Sequence, residues 1–333
     1  MTERLRSLAR KSKIIKTISV GVYAKLVGVL VAFAMVPIAI HYLGVEKYGL
    51  WIAVSSLIAM LSFADGGVGN ALVNMTSQAM GAQSNKSLLT IVSTGFFVLI
   101  MIALVGLLLF ALLYQHISWG WILGFSEGVN TTELMPLLLI VGIGFFLGMP
   151  CSVVGNVQRG LQDGNVEAFW SAKGQLLALF FVYISIRMNS GLVGFAIAYI
   201  SGPLVSALLN SSYYFLYKRK DLFPRLSFFQ AEEMKSILRT GGLFFVLQIT
   251  AVIQSKADNV IIANMLGLSA VAQYAICMQL FLVAPMVMCL LWTPLWPAYR
   301  EAFASGDIEW IKRVFAKSMK LAMAIGIPVS ITL

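Results

Sequence analysis

The 333 residues are 59% hydrophobic and 11% charged, with a mean hydropathy of +0.86. A soluble domain carries about 25% charged residues, so this chain cannot cover itself in water, and its solvent is lipid. The net charge of +10 would raise nucleic-acid binding in a soluble protein; here Lys and Arg lie in short segments between apolar runs, with no aromatic-interleaved basic face for stacking bases, and no nucleic-acid partner is expected.

Apolar stretches of spanning length fall at 17–40, 48–72, 88–114, 134–157, 169–187, 190–217, 240–265, 270–297 and 315–333. Period-two alternation is absent, so the expected fold class is all-α, a polytopic membrane protein with about nine transmembrane helices. The first stretch is too long for a signal peptide and more spans follow it. With the N-terminus inside, twenty Lys and Arg fall in inner segments and only Lys47 and Arg187 in outer loops. That asymmetry fits a multi-pass protein of the bacterial inner (plasma) membrane with a cytoplasmic N-terminus.

Residues 1–217 read as a six-helix N-terminal lobe, 218–239 as a charged cytoplasmic linker, and 240–333 as a partial C-terminal lobe of three helices. An offset of 223 lays the first span over the seventh, Leu43-Gly44 over Leu266-Gly267, Trp51 over Tyr274 and Leu57 over Leu280, as a repeat of lobes would. The expectation is a C-terminally truncated form of a protein with twelve or more helices, either a fragment or a natural early stop.

Ionisable groups within spans are costly and mark candidate sites. Lys25 lies about 13 Å into the first span at 1.5 Å per residue, and Asp65 comes to a similar depth in the antiparallel second span. The two are expected to pair, either as a structural bridge or with Lys25 as a cavity cation. In the seventh span, Gln248, Gln254, Lys256, Asp258 and Asn259 form the most polar stretch of the set. Lys256 and Asp258 point to nearly opposite faces, so each needs a partner from another helix or from cavity water; the bland alternative has Lys256 snorkelling to the outer headgroups. Arg159, with Gln158 and Asn165 at the inner mouth, is either a positive-inside anchor or a phosphate contact. The run Gly66-Gly67-Val68-Gly69 lacks the Lys-Ser/Thr of a phosphate loop and reads as close packing or a helix break. Cys151, Cys277 and Cys289 lie in apolar runs without metal-ligand spacing, and no cofactor or metal is expected.

The stretch His41-Tyr-Leu-Gly-Val-Glu-Lys-Tyr-Gly-Leu-Trp51, leading to Phe63-Ala-Asp-Gly-Gly-Val-Gly-Asn-Ala71, resembles the first helix pair of bacterial polysaccharide (O-antigen) flippases of the Wzx type. These belong to the multidrug/oligosaccharidyl-lipid/polysaccharide exporter superfamily. Gln158-Arg-Gly-Leu-Gln162 with Asn165, Ala257-Asp-Asn-Val-Ile-Ile262, and Thr293-Pro-Leu-Trp-Pro-Ala298 with Gly306-Asp307 extend the resemblance in order along the chain. It implies a non-enzymatic transporter, in which two six-helix lobes rock around a central, often cationic cavity. The implied substrate is an undecaprenyl-diphosphate-linked oligosaccharide moved from the inner to the outer leaflet. With no nucleotide site in the sequence, energy is expected from an H+ or Na+ gradient or from the membrane potential. An anion of about two charges gains roughly 5 kcal/mol moving outward through 100 mV. The alternatives are a drug/cation antiporter of the same superfamily, which wants cavity acids, and a membrane oligosaccharide polymerase or ligase, which wants a large outer loop with Arg or His. A non-functional remnant is the last.

Overall fold

The computed structural model describes residues 3–82, 84–117, 119, 131–266, 292–293 and 295–332, and all regular structure among them is helical. Nine long helices run α1 (Glu3–Met60), α2 (Val68–Gly81), α3 (Asn85–Leu113), α4 (Thr131–Gly160), α5 (Gly164–Arg187), α6 (Gly191–Tyr213), α7 (Ala231–Leu266), α8 (Leu295–Ala304) and α9 (Ile308–Thr332). Among the described residues, five helical segments are long and apolar enough to span a membrane: Lys16–Gly44, Ser87–Leu113, Glu133–Gly160, Gly164–Arg187 and Gly191–Lys218. These match the first, third, fourth, fifth and sixth expected spans. The seventh falls on α7 and the ninth on α9, while most of the eighth, with Gly267, Tyr274 and Leu280 of the proposed repeat, lies outside the described residues.

The second expected span is broken, which is why no single helix of spanning length covers it. Gly44, at φ 79° and ψ 165°, divides α1 into two arms. Only a residue without Cβ takes this backbone geometry readily, and the break turns the chain back on itself. Before it, the Tyr42 hydroxyl accepts the Gly191 N–H at the start of α6. After it, Trp51 packs edge-on against Phe195 and Tyr199, deeper along α6.

The first arm of α1 runs parallel to α5. Thr17 faces Gly164 and Gln175 lies over Gly28, where an added Cβ would come within 2.6 Å of its Oε1. The antiparallel pair α5 and α6 is closer still: a Cβ on Gly202 would strike the Ala178 backbone, and one on Gly174 would sit 3.1 Å from Pro203 Cα. Without a hydrophobic force between helices in lipid, small residues provide the contact by letting backbones approach.

Two apolar clusters fill the bundle. One joins Met35, Trp51, Leu137 and Phe195 toward the Gly44 end; the other joins Leu72, Leu99, Val157, Tyr214 and Ile237 toward the side that carries the N-terminus. Outside them, Leu104, Leu108 and Leu112 of α3 and Phe180 and Tyr183 of α5 are exposed, a surface suited to acyl chains. After α6, a π turn (Tyr214–Lys218) and two 3-10 turns lead to α7. This segment is fastened along α3 by the Arg225 N–H to Ser93 Oγ at 3.1 Å and the Gln230 N–H to Thr94 Oγ1 at 3.2 Å. Within it, the Arg219 guanidinium holds the Asp221 carboxyl below the usual carboxylate range through a forked bond. Since α7 starts at Ala231, residues 231–239 of the segment expected as linker are already helix.

Candidate functional site

The break in the second span builds one wall of the site. Gly66 and Gly67 both take left-handed backbone angles, φ 63° and 74°, and a Cβ on Gly67 would collide with the Gly241 carbonyl of α7. Phe63 meets Phe245 beside them, ring centroids 5.9 Å apart. Both readings of the glycine run therefore hold: it is a helix break and a close backbone approach. A helix starting inside a bundle leaves unpaired N–H groups and a partial positive charge. Asp65 answers both. Its Oδ1 accepts the Gly67 N–H at 2.8 Å and its Oδ2 the Gly69 N–H at 3.0 Å.

The expected Lys25–Asp65 pair is not formed. The Asp65 carboxylate is engaged by the start of α2, and among the described residues no ion pair joins it to Lys25. Depth along the helix axis is a poor guide because a helical side chain leans toward its own N-terminus. Lys25 is exposed on α1.

A cavity of about 620 Å³ lies between the second arm of α1, the start of α2, and α4, α6 and α7. It brings together Asp65, Arg159 and Gln248 of the expected residues and adds Ser55, Asn70 and Asn156. Arg159 Nη2 donates to Asn156 Oδ1 one helical turn away. Three buried polar atoms on this wall have no hydrogen-bond partner among the described residues: Ser55 Oγ, Arg159 Nε and Gln248 Oε1. Buried polar groups in native proteins are nearly always paired; these three belong to residues that line the cavity, but the atoms themselves are closed off from it. Lys25 is not on the cavity wall. The side chains of Gln254, Lys256, Asp258 and Asn259 lie outside the described residues, although α7 carries all four positions.

A larger void of about 990 Å³ opens between α1 and α5 nearer Gly44, lined by Pro37, Ile38, Leu179, Phe180 and Tyr183 among others. Its wall is mostly apolar, and it lacks the convergent polar atoms of the smaller cavity.

Sequence reasoning missed Glu167, Asn156, Asn70 and Ser55. The Asn156–Arg159 spacing of three, which puts both on one helix face, was the available signal. Glu167 stands beside a basic inner loop and reads there as a solvated surface charge. In the fold it packs across Gly155, where an added Cβ would lie 3.1 Å from its Cγ, within electrostatic reach of both Arg159 and Lys25. Gln158, expected at the mouth, is fully buried and exchanges two hydrogen bonds with Asn210 of α6, at 2.8 and 3.1 Å.

On the N-terminal side of the bundle α8 packs against α2 and the α4–α5 turn. Arg300 donates to Gln78 of α2, and Gln162 Nε2 donates to Glu301 Oε2 at 2.7 Å. Gly81 lies against the Glu301 carbonyl and Ala304. Gln162 occupies the α4–α5 turn with φ 59°.

The fold is that of known transporters. The chain superposes on a MOP superfamily transporter from Pyrococcus furiosus, in which reversed polarity of the binding pocket suggests a different function. That match has a TM-score of 0.80 at 18% identity and covers 99% of this chain and 73% of that one. It also matches a multidrug resistance MATE family transporter of the MOP superfamily in its outward-facing conformation, with a TM-score of 0.81, 18% identity and the same coverage. In sequence it is 20% identical over 279 residues to a Yersinia pseudotuberculosis protein named "Putative O-antigen export protein", covering 84% of this chain. The chain spans 63% of the length of that relative. The exporter-superfamily fold expected from the resemblance is thus the fold found. Residues 14–302 match the family described as Polysaccharide biosynthesis protein, and this chain belongs to that family.

Proposed function

We propose that this chain is the N-terminal lobe and the beginning of the second lobe of a flippase for a lipid-linked oligosaccharide of the undecaprenyl-diphosphate type. The cavity admits the anionic headgroup while the lipid tail stays in the bilayer, and the lobes rock to open it alternately to each leaflet. The observation that carries this reading is the cavity of about 620 Å³ whose wall holds Arg159 beside Ser55, Asn70, Asn156 and Gln248. A guanidinium with free donor capacity suits phosphate. An unpaired charge in hydrocarbon costs tens of kcal/mol on a Born estimate, a barrier that a wet cationic cavity removes. The excess of Lys and Arg on the N-terminal side favours that side as cytoplasmic, in the bacterial inner membrane. A coupled H+ or Na+ ion, or the membrane potential, would drive the cycle.

A drug/cation antiporter would need a free acid on the cavity wall. Among the described residues that line it Asp65 is the one acid, and both its oxygens already hold backbone N–H groups, which favours the anion reading. The test is polymer export in a flippase-deficient strain complemented by the full-length protein. Arg159→Gln and Gln248→Ala at equal expression should each lower export, Arg159→Gln by at least about tenfold. Wild-type export in Arg159→Gln would overturn the proposal.

A further inference from the structure

The seam between α1 and α5 is closed toward one side of the membrane and open toward the other. On the N-terminal side Thr17 faces Gly164 and Gly28 faces Gln175. Both pairs share an offset of 147 residues, so the two helices run parallel and in register. From Leu176 to Ile186 this contact gives way to the void of about 990 Å³. Ten residues of helix rise about 15 Å, half of a hydrocarbon core about 30 Å thick. The void therefore spans one leaflet, the one on the Gly44 side. Phe180 and Tyr183 on its wall are more than half exposed, so it opens toward acyl chains. An apolar void offers water no hydrogen bonds, and left empty it forfeits the dispersion contacts of its lining. In a bilayer a lipid chain fills it.

The polar groups of this wall gather at its far end. His41 and Tyr42 line it there, and the shared offset puts His41 level with Met188, next to Arg187. The Arg187 guanidinium lies over the ring of Tyr183, another wall residue, 5.7 Å from its centroid. Among the described residues Arg187 closes no ion pair, and none of those on the wall is acidic. The Tyr42 hydroxyl accepts the Gly191 N–H and keeps its own hydrogen to donate. His41 carries a ring N–H in either protonation state. Three donors, one of them permanently charged, stand at the head of an apolar slot one leaflet long.

We propose that the α1–α5 groove is a binding site for an anionic phospholipid of that leaflet, with one acyl chain in the groove and the phosphodiester at Arg187, His41 and Tyr42. A guanidinium fork suits phosphate oxygens. An anionic lipid is preferred to a zwitterionic one because a headgroup ammonium meets a cation there and no carboxylate. The site is separate from the headgroup cavity, since the two share no lining residue, and it holds whatever the transported substrate is. The lipid joins α1 to α5 over the half of the seam that the void separates.

The test uses the full-length protein in nanodiscs of phosphatidylethanolamine with phosphatidylglycerol added, and counts the lipids retained on release by native mass spectrometry. The wild type should retain phosphatidylglycerol over phosphatidylethanolamine by about tenfold, and Arg187→Gln should cut that preference to about twofold. Arg187→Lys keeps the charge and should keep most of the preference. Leu176→Trp fills the groove from its exposed side and should lower retention of both lipids. Lys47→Gln removes the other cation expected on that side and should change neither. In phosphatidylethanolamine alone, Arg187→Gln should unfold at the wild-type Tm; added phosphatidylglycerol should raise the Tm of the wild type and not of the variant. Equal retention of the two lipids by the wild type overturns the proposal, as does wild-type retention in Arg187→Gln or in Leu176→Trp. A loss in Lys47→Gln as large as in Arg187→Gln also overturns it, because the lipid would then answer to diffuse surface charge.

Discussion

Asp65 accepts the backbone N–H of Gly69 at 3.0 Å, so the carboxylate that lies deepest in the second span closes the start of α2 instead of meeting a lysine. Its role is that of a helix cap inside the bundle. Asp65→Ala should therefore lower stability by about 1–2 kcal/mol, the usual loss for a removed N-cap. Asp65→Asn keeps an acceptor oxygen and should lose less than half of that. Thermal unfolding in detergent measures both. A transport-dead Asp65→Asn with an unchanged Tm would instead mean that the charge itself serves the substrate.

Two glycines of positive φ, Gly44 before the second span and Gly67 within it, separate conformational cost from contact cost. Gly44 has nothing within 4 Å of a built Cβ, whereas Gly67 faces the Gly241 carbonyl and the Phe245 N–H group. Gly44→Ala should cost about 2 kcal/mol, the strain of a Cβ-bearing residue in a backbone region that is essentially glycine's alone. Gly67→Ala adds a backbone collision that α7 must move to relieve, and should cost at least about 3 kcal/mol. Tm and folded yield should rank wild type, Gly44→Ala, then Gly67→Ala. Equal effects of the two substitutions would show that α7 gives way freely.

Gln158 and Asn210 form a closed amide pair with no other buried partner on hand. Removing either leaves the other unsatisfied, at about 1–3 kcal/mol. Gln158→Ala and Asn210→Ala should each destabilise by that amount, and the double variant by little more than either one. A double-mutant cycle on Tm reads the coupling directly. Additive losses would mean that water replaces the missing partner.

Five spans and the basic side of the bundle were legible because hydropathy and Lys/Arg placement report each segment's own solvent. The glycine run at 66–69 was legible for the same reason: glycine there has a local backbone meaning. The Lys25–Asp65 pairing failed because it used depth alone. Depth says nothing of azimuth, side-chain lean or the claim of free N–H groups on a nearby carboxylate. Glu167 was illegible because its meaning comes from Gly155 and Arg159 on another helix, while its own neighbours in sequence are those of an ordinary inner loop. Arg159 was read as one of two things, an anchor or a phosphate contact, and what the sequence could not give was its place on the cavity wall beside Asn156.

The packing of α8 on α2 and the α4–α5 turn yields the sharpest conformational prediction. Gly81 of α2 sits so close to the Glu301 carbonyl and Ala304 that any larger side chain must push α8 away, straining Arg300–Gln78 and Gln162–Glu301 together. Each of these hydrogen bonds has one charged partner and is worth about 1.5–3 kcal/mol, so the contact is of a strength that one wedge can reverse. With Cys151, Cys277 and Cys289 replaced by alanine, Ser152→Cys reports access to the cavity wall. An impermeant maleimide added from the N-terminal side should label Ser152→Cys slowly, and several-fold faster once Gly81→Leu is added. Labelling from the opposite side should fall in the same variant if opening one side closes the other. A rate from the N-terminal side unmoved by Gly81→Leu would mean that α8 is not the barrier, and that the cavity is sealed there by the helices of the first lobe alone.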